Sequence, residues 1–372
     1  MSGAGIPLVD LKAQHAEIAD EVAAGFARVI ADTAFILGPQ VRAFEEEFAR
    51  FCGLPHCVGV ANGTDAIELS VRALGLKAGD EVIVPANTFI ASALGVVRAG
   101  ARPVIVDCDE YQLLDPGRIE AAIGPRTRAV LPVHLFGQMA DMEAIGEVAE
   151  ARGLTVIEDG AQSQGARRNG RPAGSFGVAA AVSFYPGKNI GAYGDAGAVV
   201  TGSEEIAGRL RKLRNWGSEI KYHHPEIGFN SRLDTLQAVV LSAKLKRLDA
   251  WNEARRRAAA RYDELLTGVA DVELPKTLPG NEHVWHLYVV RVPQRDEVLV
   301  KLNAEGIGAG IHYPVPLHLH GALSDLGYRE GDFPMAEKAA AEILSLPMYP
   351  HITEQQQQQV AAALRRALAP AP

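Results

Sequence analysis

From about residue 57 to residue 215 the chain alternates two patterns of apolar and polar positions. Short runs are apolar on nearly every position: HCVGVAN, DEVIVPA, RPVIVDCD, TRAVLPVHLFG, LTVIEDGA, AAAVSFYP and GAVVTG. Such runs read as strands buried on both faces, as in a covered parallel sheet. Between them lie stretches such as GTDAIELSVRALG and DMEAIGEVAEARG, whose apolar residues recur at helical spacing. The alternation predicts an α/β domain with a mostly parallel sheet and helices on both sides. In sheets of this kind, ligands gather at the carboxyl ends of the strands.

The pattern changes near residue 232. RLDTLQAVVLSAKLKRLDAWNEARRRAAARYDELL reads as one long helical stretch linking two domains. Beyond it, HVWHLYVVRVP, IGAGIHYPVPL and a closing helix TEQQQQQVAAALRRAL form a smaller α/β domain. The glutamine run belongs to that helix, because Thr353 and Gln356 make the capping-box pattern that starts one. The expected division is a large domain with an N-terminal helical segment at 1–245 and a small domain at 246–372.

Composition narrows the class. With 372 residues, 48% hydrophobic and 22% charged, the chain can bury a sizeable core. A net charge of −8 argues against a nucleic-acid surface and leaves room for an anionic small substrate only where basic side chains are placed locally. No apolar run is long enough to cross a bilayer, and the first residues lack the signature of a secretory signal, so no membrane role is expected. Cys52, Cys57 and Cys108 read as reduced thiols of a cytoplasmic protein; Cys52 and Cys57 have no second pair to complete a metal site.

The chemistry centres on AVSFYPGKNIGAYGDAGAVV, which sets Lys188 in a glycine-rich loop between two buried runs. A lysine there is either a solvated surface residue or a desolvated amine able to form an imine with a carbonyl compound such as pyridoxal phosphate. A phosphate loop of the Walker type is excluded, since Val182 and Asn189 stand where its first glycine and its serine or threonine belong. Pyridoxal phosphate needs a carboxylate on its pyridine nitrogen. Asp159, closing the run LTVIED, is the candidate, with Gln162 for the ring oxygen; Glu158 points to the opposite face of its strand and is the less favoured acid. Phosphate donors are found at Gly63 and Thr64, where a strand meets a helix N-terminus, and at Ser183. Phe89 in ANTFIAS is placed to stack on the ring, although alone it also reads as core.

Taken together, GPQVRAFEEEFARFCG, GTDAIELSVRALG, IEDGAQSQGA, SFYPGKNIGAYGDAGAVVT and NSRLDTLQAVVL resemble the sugar aminotransferases of the DegT/DnrJ/EryC1/StrS type, in the family's order and over nearly the whole chain. The resemblance implies a fold-type I aminotransferase homodimer with shared active sites. It implies Lys188 as the Schiff-base lysine, Asp159 on the pyridine nitrogen, Gln162 on the ring oxygen and Phe89 stacked on the ring. Gly63, Thr64 and Ser183 would then hold the phosphate, with Asn230 of NSRLD reaching it from the neighbouring subunit.

The family's dehydratase branch has histidine at the lysine position, so Lys188 points to transamination, with L-glutamate as amino donor and pyridoxamine phosphate as the cofactor's second form. KYHHPEIGFNSRLD and GIHYPVPLHLHGAL resemble the branch that aminates C3 of dTDP-3-keto-6-deoxyhexoses more than the C4-aminating branch. On that resemblance Tyr185, Lys221, His312 and Tyr313 lie near the nucleotide diphosphate and sugar. His312, His318 and His320 also read as a loop that packs the domain interface; no carboxylate or cysteine joins them, so no metal is expected. Two other classes stand beside this. A cofactor-binding regulator would need a partner-binding segment, for which the chain has no spare region. A nicotinamide-dependent oxidoreductase would need a glycine fingerprint that VANGTDA does not supply.

Overall fold

The computed structural model describes residues 5–369. All seven predicted runs are strands of one sheet: β1 His56–Val60, β2 Glu81–Pro85, β3 Arg102–Val106, β4 Thr127–Val130, β5 Thr155–Asp159, β6 Ala179–Ser183 and β7 Gly197–Thr201. Their order is β1-β7-β6-β5-β4-β2-β3. Only β7 runs against its two neighbours, and the remaining pairs are parallel.

The strands are apolar on both faces because both faces are covered. Along β6, Ala179 and Ala181 enter one core with Val58, Ile83, Val130 and Ile157. Ala180 and Val182 enter the other, with Phe44, Phe48 and Phe184. Phe184, the first residue after β6, is met edge-on by both Phe44 and Phe48, with ring centroids 5.4 and 5.1 Å away. That contact pins the start of the lysine loop to the helix Pro39–Phe51, which carries both partners.

The long helical stretch is two helices, Thr235–Leu245 and Leu248–Leu266, with a break at Lys246 and Arg247. Both of those residues pair with Glu21, which holds the corner to the N-terminal helix Ala19–Asp32. The break lets the first helix pack on the large core and the second turn away to the helix Glu354–Leu368. Apolar periodicity continues across the corner, so the pattern alone does not mark it. The closing helix begins with the expected capping box of Thr353 and Gln356.

A second core gathers Tyr262, Tyr288, Val290, Leu302, Leu344 and Leu364 around a two-stranded antiparallel pair, β8 Tyr288–Arg291 and β9 Ile343–Leu346. Ile6 belongs to it as well, through a bridge to Ile307. In the other direction Leu317, Leu323, Phe333 and Ala336 pack on the large core, so the two bodies exchange segments. No helix among the described residues is long and apolar enough to cross a membrane.

Candidate active site

The carboxyl ends of β5 and β6 and the N-terminus of the helix Gly63–Ala73 meet at one place. Asn62 caps that helix by accepting from the Asp65 amide at 2.8 Å. The amides of Gly63 and Thr64 have no acceptor among the described residues. They are the free donors of a helix N-terminus, where the dipole favours an anion. A Cβ on Gly63 would lie 2.6 Å from Ser183 Cβ, and one on Gly197 would lie 2.4 Å from the Asn62 carbonyl carbon. Two glycines therefore let this helix end press directly on β6 and β7.

Asp159 ends β5 and is buried. Its Oδ2 accepts from Ser92 Oγ at 2.7 Å and its Oδ1 from the Ala161 amide at 3.1 Å. Burial raises its pKa above the ordinary carboxylate value, against the lowering effect of these hydrogen bonds and of the Lys188 charge. Glu158, next along the strand, faces the other way. Its carboxylate accepts from His134 Nε2 and from the amides of Gly174, Phe176 and Gly177 at 2.6 to 2.8 Å. Burial works to raise its pKa too, but these donors win and the net shift is downward. Every lone pair of Glu158 has a structural duty, whereas Asp159 is held by two donors at the strand end.

Lys188 lies in a loop closed by its own backbone: its amide donates to the Tyr185 carbonyl at 2.8 Å, and the Ala192 amide to the Phe184 carbonyl at 2.8 Å. Gly191 is required there, since a Cβ would fall 2.2 Å from the Pro186 oxygen. The buried Lys244 reaches in from the helix Thr235–Leu245 and donates from Nζ to the Gly191 carbonyl at 2.6 Å. The Lys188 amine makes no hydrogen bond or ion pair among the described residues. Its surroundings push its pKa down to about 8 by burial, with Asp159 pulling the other way.

The remaining candidates divide into two groups. Gln162 accepts from the Phe136 amide at 2.6 Å and donates to the Tyr313 hydroxyl at 3.1 Å. Tyr313 packs 5.1 Å from the ring of Phe89, which is 50% exposed although it precedes a buried helix. His312 bonds Ser345 Oγ through Nδ1 at 2.8 Å, and burial with the nearby Lys188 charge lowers its pKa to about 4. Tyr185 is 59% exposed beside the lysine loop, and Ser183 Oγ accepts its amide at 3.3 Å. Lys221 and Asn230 are not joined to this group within one chain. Lys221 is exposed, its amine 5.0 Å from the Tyr222 ring centroid; Asn230 is exposed in a bridge to Asn215. His318 packs on Phe333 and pairs with Glu337 at 2.8 Å, so a carboxylate does join one of these histidines, against the expectation, because the fold returns Glu337 to it from 19 residues further along the chain. The described residues hold no cluster suited to a metal.

Several residues in direct contact with the site were not singled out in the sequence. Ser92 stands three positions after Phe89, in the same quoted ANTFIAS segment, where the first turn of the helix Ile90–Arg98 aims it at Asp159. His286 and Asn189 meet at 3.2 Å beneath Lys188. Asn189 had a signal, its place beside the lysine; His286 sits in a strand-like apolar run and had none.

Residues 16–365 match the DegT/DnrJ/EryC1/StrS aminotransferase family. The chain is 49% identical over 361 residues to the dTDP-3-amino-3,4,6-trideoxy-alpha-D-glucose transaminase of Streptomyces venezuelae, covering 97% of this chain and 95% of that one. It is 47% identical over 364 residues to a UDP-N-acetyl-3-dehydro-alpha-D-glucosamine 3-aminotransferase of Acidithiobacillus ferrooxidans, covering 98% of each. The crystal structure of S. venezuelae DesV in complex with a ketimine intermediate matches the fold at a TM-score of 0.97, with 48% identity and 100% of both chains covered.

Proposed function

Since the chain belongs to the DegT/DnrJ/EryC1/StrS aminotransferase family, we propose that it moves an amino group from L-glutamate to C3 of a dTDP-linked 3-keto-6-deoxyhexose, as a cytoplasmic homodimer with shared active sites. The cofactor of this family is pyridoxal 5'-phosphate, which when bound supplies an electron-accepting ring and carries the amino group between the two half-reactions.

The residues fit that group. The free amides of Gly63 and Thr64, with Ser183 pressed against them, make a cradle for a phosphate that a single Cβ at Gly63 would fill. Asp159 would hold a ring nitrogen in its protonated form, because a buried carboxylate that makes no ion pair gains from a cation placed directly beside it. The half-exposed face of Phe89 would cover the ring. Gln162 would hold the ring oxygen. Asn230, exposed and apart from its own chain's lysine, would serve the phosphate of the neighbouring subunit.

Lys188 Nζ is the proton carrier. An amine with a pKa near 8 is still mostly protonated at neutral pH, but it holds a far larger neutral fraction than an ordinary lysine, so it can take the proton from Cα of glutamate and deliver one at C3 of the sugar. Tyr185, His312 and Tyr313 would face the sugar, and Lys221 its diphosphate. The observation that carries the reading is that this desolvated amine, unpaired among the described residues and in the loop that follows β6, lies within electrostatic reach of the buried Asp159 at the carboxyl end of the adjacent β5. The test is a panel of dTDP- and UDP-linked 3-keto and 4-keto sugars assayed with glutamate, the product located by NMR. Amination at C3 of a dTDP-linked sugar is expected. Turnover confined to 4-keto sugars, or to UDP-linked ones, overturns the assignment.

A further inference from the structure

Asn189, next to Lys188, is buried, and its carboxamide is fully engaged. Nδ2 donates to the Val284 carbonyl and to Asn252 Oδ1, both at 2.9 Å, while Oδ1 accepts from His286 Nδ1 at 3.2 Å. Asn252, equally buried, donates from Nδ2 to the Gln164 carbonyl at 2.9 Å. Carbonyl oxygens only accept, so Val284 and Gln164 fix which way each carboxamide points. Gln164 continues the line, its Nε2 donating to the Ser183 carbonyl at 2.9 Å and to the Ala161 carbonyl at 3.1 Å. At Gly165, φ is +90° and a Cβ would fall 2.6 Å from Asn252 Nδ2, so the backbone gives way to let this side chain through.

We propose that Asn252 is the positioning residue of the catalytic lysine: one carboxamide holds Asn189 with its oxygen and the Gln164 carbonyl with its nitrogen, locking the Lys188 loop to the wall that carries Ser183. Asn252 stands on the helix Leu248–Leu266, which packs against the closing helix of the second core, so the lock also ties the lysine to that body. The same arrangement sets His286. With Asn189 Oδ1 as acceptor, His286 must donate from Nδ1, and burial keeps the ring neutral, so Nε2 is left as a bare acceptor.

This role rests on Lys188 being the reacting amine of the proposed function, and the test separates the two. Apoenzyme is treated with acetic anhydride across a pH series, and acetylation of the Lys188 peptide is followed by mass spectrometry. The titratable and charged groups that bear on this amine are Asp159 from the sheet and His286 and His312 from the C-terminal segments, and none is replaced. The wild-type midpoint is expected near 8. Asn252→Ala frees the loop and admits water, moving the midpoint up by about one unit toward the ordinary lysine value. In reconstituted enzyme kcat falls about tenfold or more while KM for glutamate changes less than about threefold. Asn189→Ser cuts the line from the other side and gives the same upward shift. Asn252→Ser, which keeps one hydrogen-bonding atom, lies between.

Any folded member of the set with both the wild-type midpoint and the wild-type kcat overturns the role. If none of the three folds, the line holds the fold rather than the lysine, and the role is likewise overturned. Borohydride fixation of the cofactor to another lysine would instead sink the assignment of Lys188 while leaving the midpoint shifts in place.

Discussion

Ser92 Oγ donates to Asp159 Oδ2 at 2.7 Å, and Thr88 Oγ1 stands 2.9 Å behind Ser92. The hydrogen bond favours the ionised carboxylate against burial, which raises the pKa. Ser92→Ala removes it, so the pKa of Asp159 rises further and the acid limb of the rate moves to higher pH. The half-reaction with glutamate is expected to slow by about tenfold, the effect of one hydrogen bond to a charged group. Asp159→Asn abolishes the charge and should slow the same step by about a hundredfold or more, with a smaller change in pyridoxamine phosphate affinity. Stopped-flow spectra of the half-reaction and a binding titration measure both; wild-type rates in Asp159→Asn would move the acid role elsewhere.

Lys188→Ala leaves every phosphate and ring contact in place. It should bind pyridoxamine phosphate within a few-fold of wild type while turnover falls by about three orders of magnitude or more. In wild type, borohydride should fix the cofactor to the peptide containing Lys188.

Glu158 has a different duty. Its folded pKa lies below the ordinary value of 4.5, so its stabilisation is complete above that pH and is lost as pH falls through the folded value. Glu158→Gln replaces an acceptor of four donors by a group that itself donates toward an amide. A loss of about 3 kcal/mol is expected at pH 7. The variant should also show a shallower decline in melting temperature toward pH 3. An unchanged melting temperature at pH 7 would contradict the structural role.

Gly63→Ala places a Cβ 2.6 Å from Ser183 Cβ, closer than packed atoms tolerate. The helix end must retreat from β6, and the phosphate donors retreat with it. Pyridoxamine phosphate should bind about tenfold more weakly with little change in kcat at saturation. Affinity equal to wild type would place the phosphate elsewhere.

If Asn230 serves the neighbouring subunit, two damaged chains can repair each other. Lys188→Ala keeps a good Asn230 and Asn230→Ala a good Lys188, so in a mixed dimer one site collects both defects and the other has none. Provided Asn230→Ala is itself severely impaired, equal mixing should restore roughly a quarter of wild-type activity, since about half the dimers are mixed and each has one sound site. No recovery after confirmed subunit exchange would assign Asn230 to its own chain.

What could be read before the structure was what is local. The seven apolar runs are the seven strands, because strand burial on both faces leaves its mark on every residue of a run. Lys188 stood out because glycines surround it, and Gly191 indeed has no room for a side chain. The reversed direction of β7 left no such mark: GAVVTG reads the same in either sense, and the connection through 184–196, which holds no crossover helix, turns the chain back. Ser92, Asn252 and His286 escaped for a related reason. Each meets its partner across a sequence separation of 67, 63 and 97 residues respectively, and an asparagine in a helix or a histidine in an apolar run advertises nothing until the chain has folded.

The bridge between Ile6 and Ile307 has a consequence for how the molecule is made. A ribosome adding about 5–20 residues per second needs roughly 15–60 s to bring Ile307 out after Ile6. Through that interval the strands of the large sheet emerge in sequence and can pair, while Ile6 waits for a core that does not yet exist. Ile6 is thus made long before the residue that buries it, and the nascent chain must keep it in solution throughout that interval.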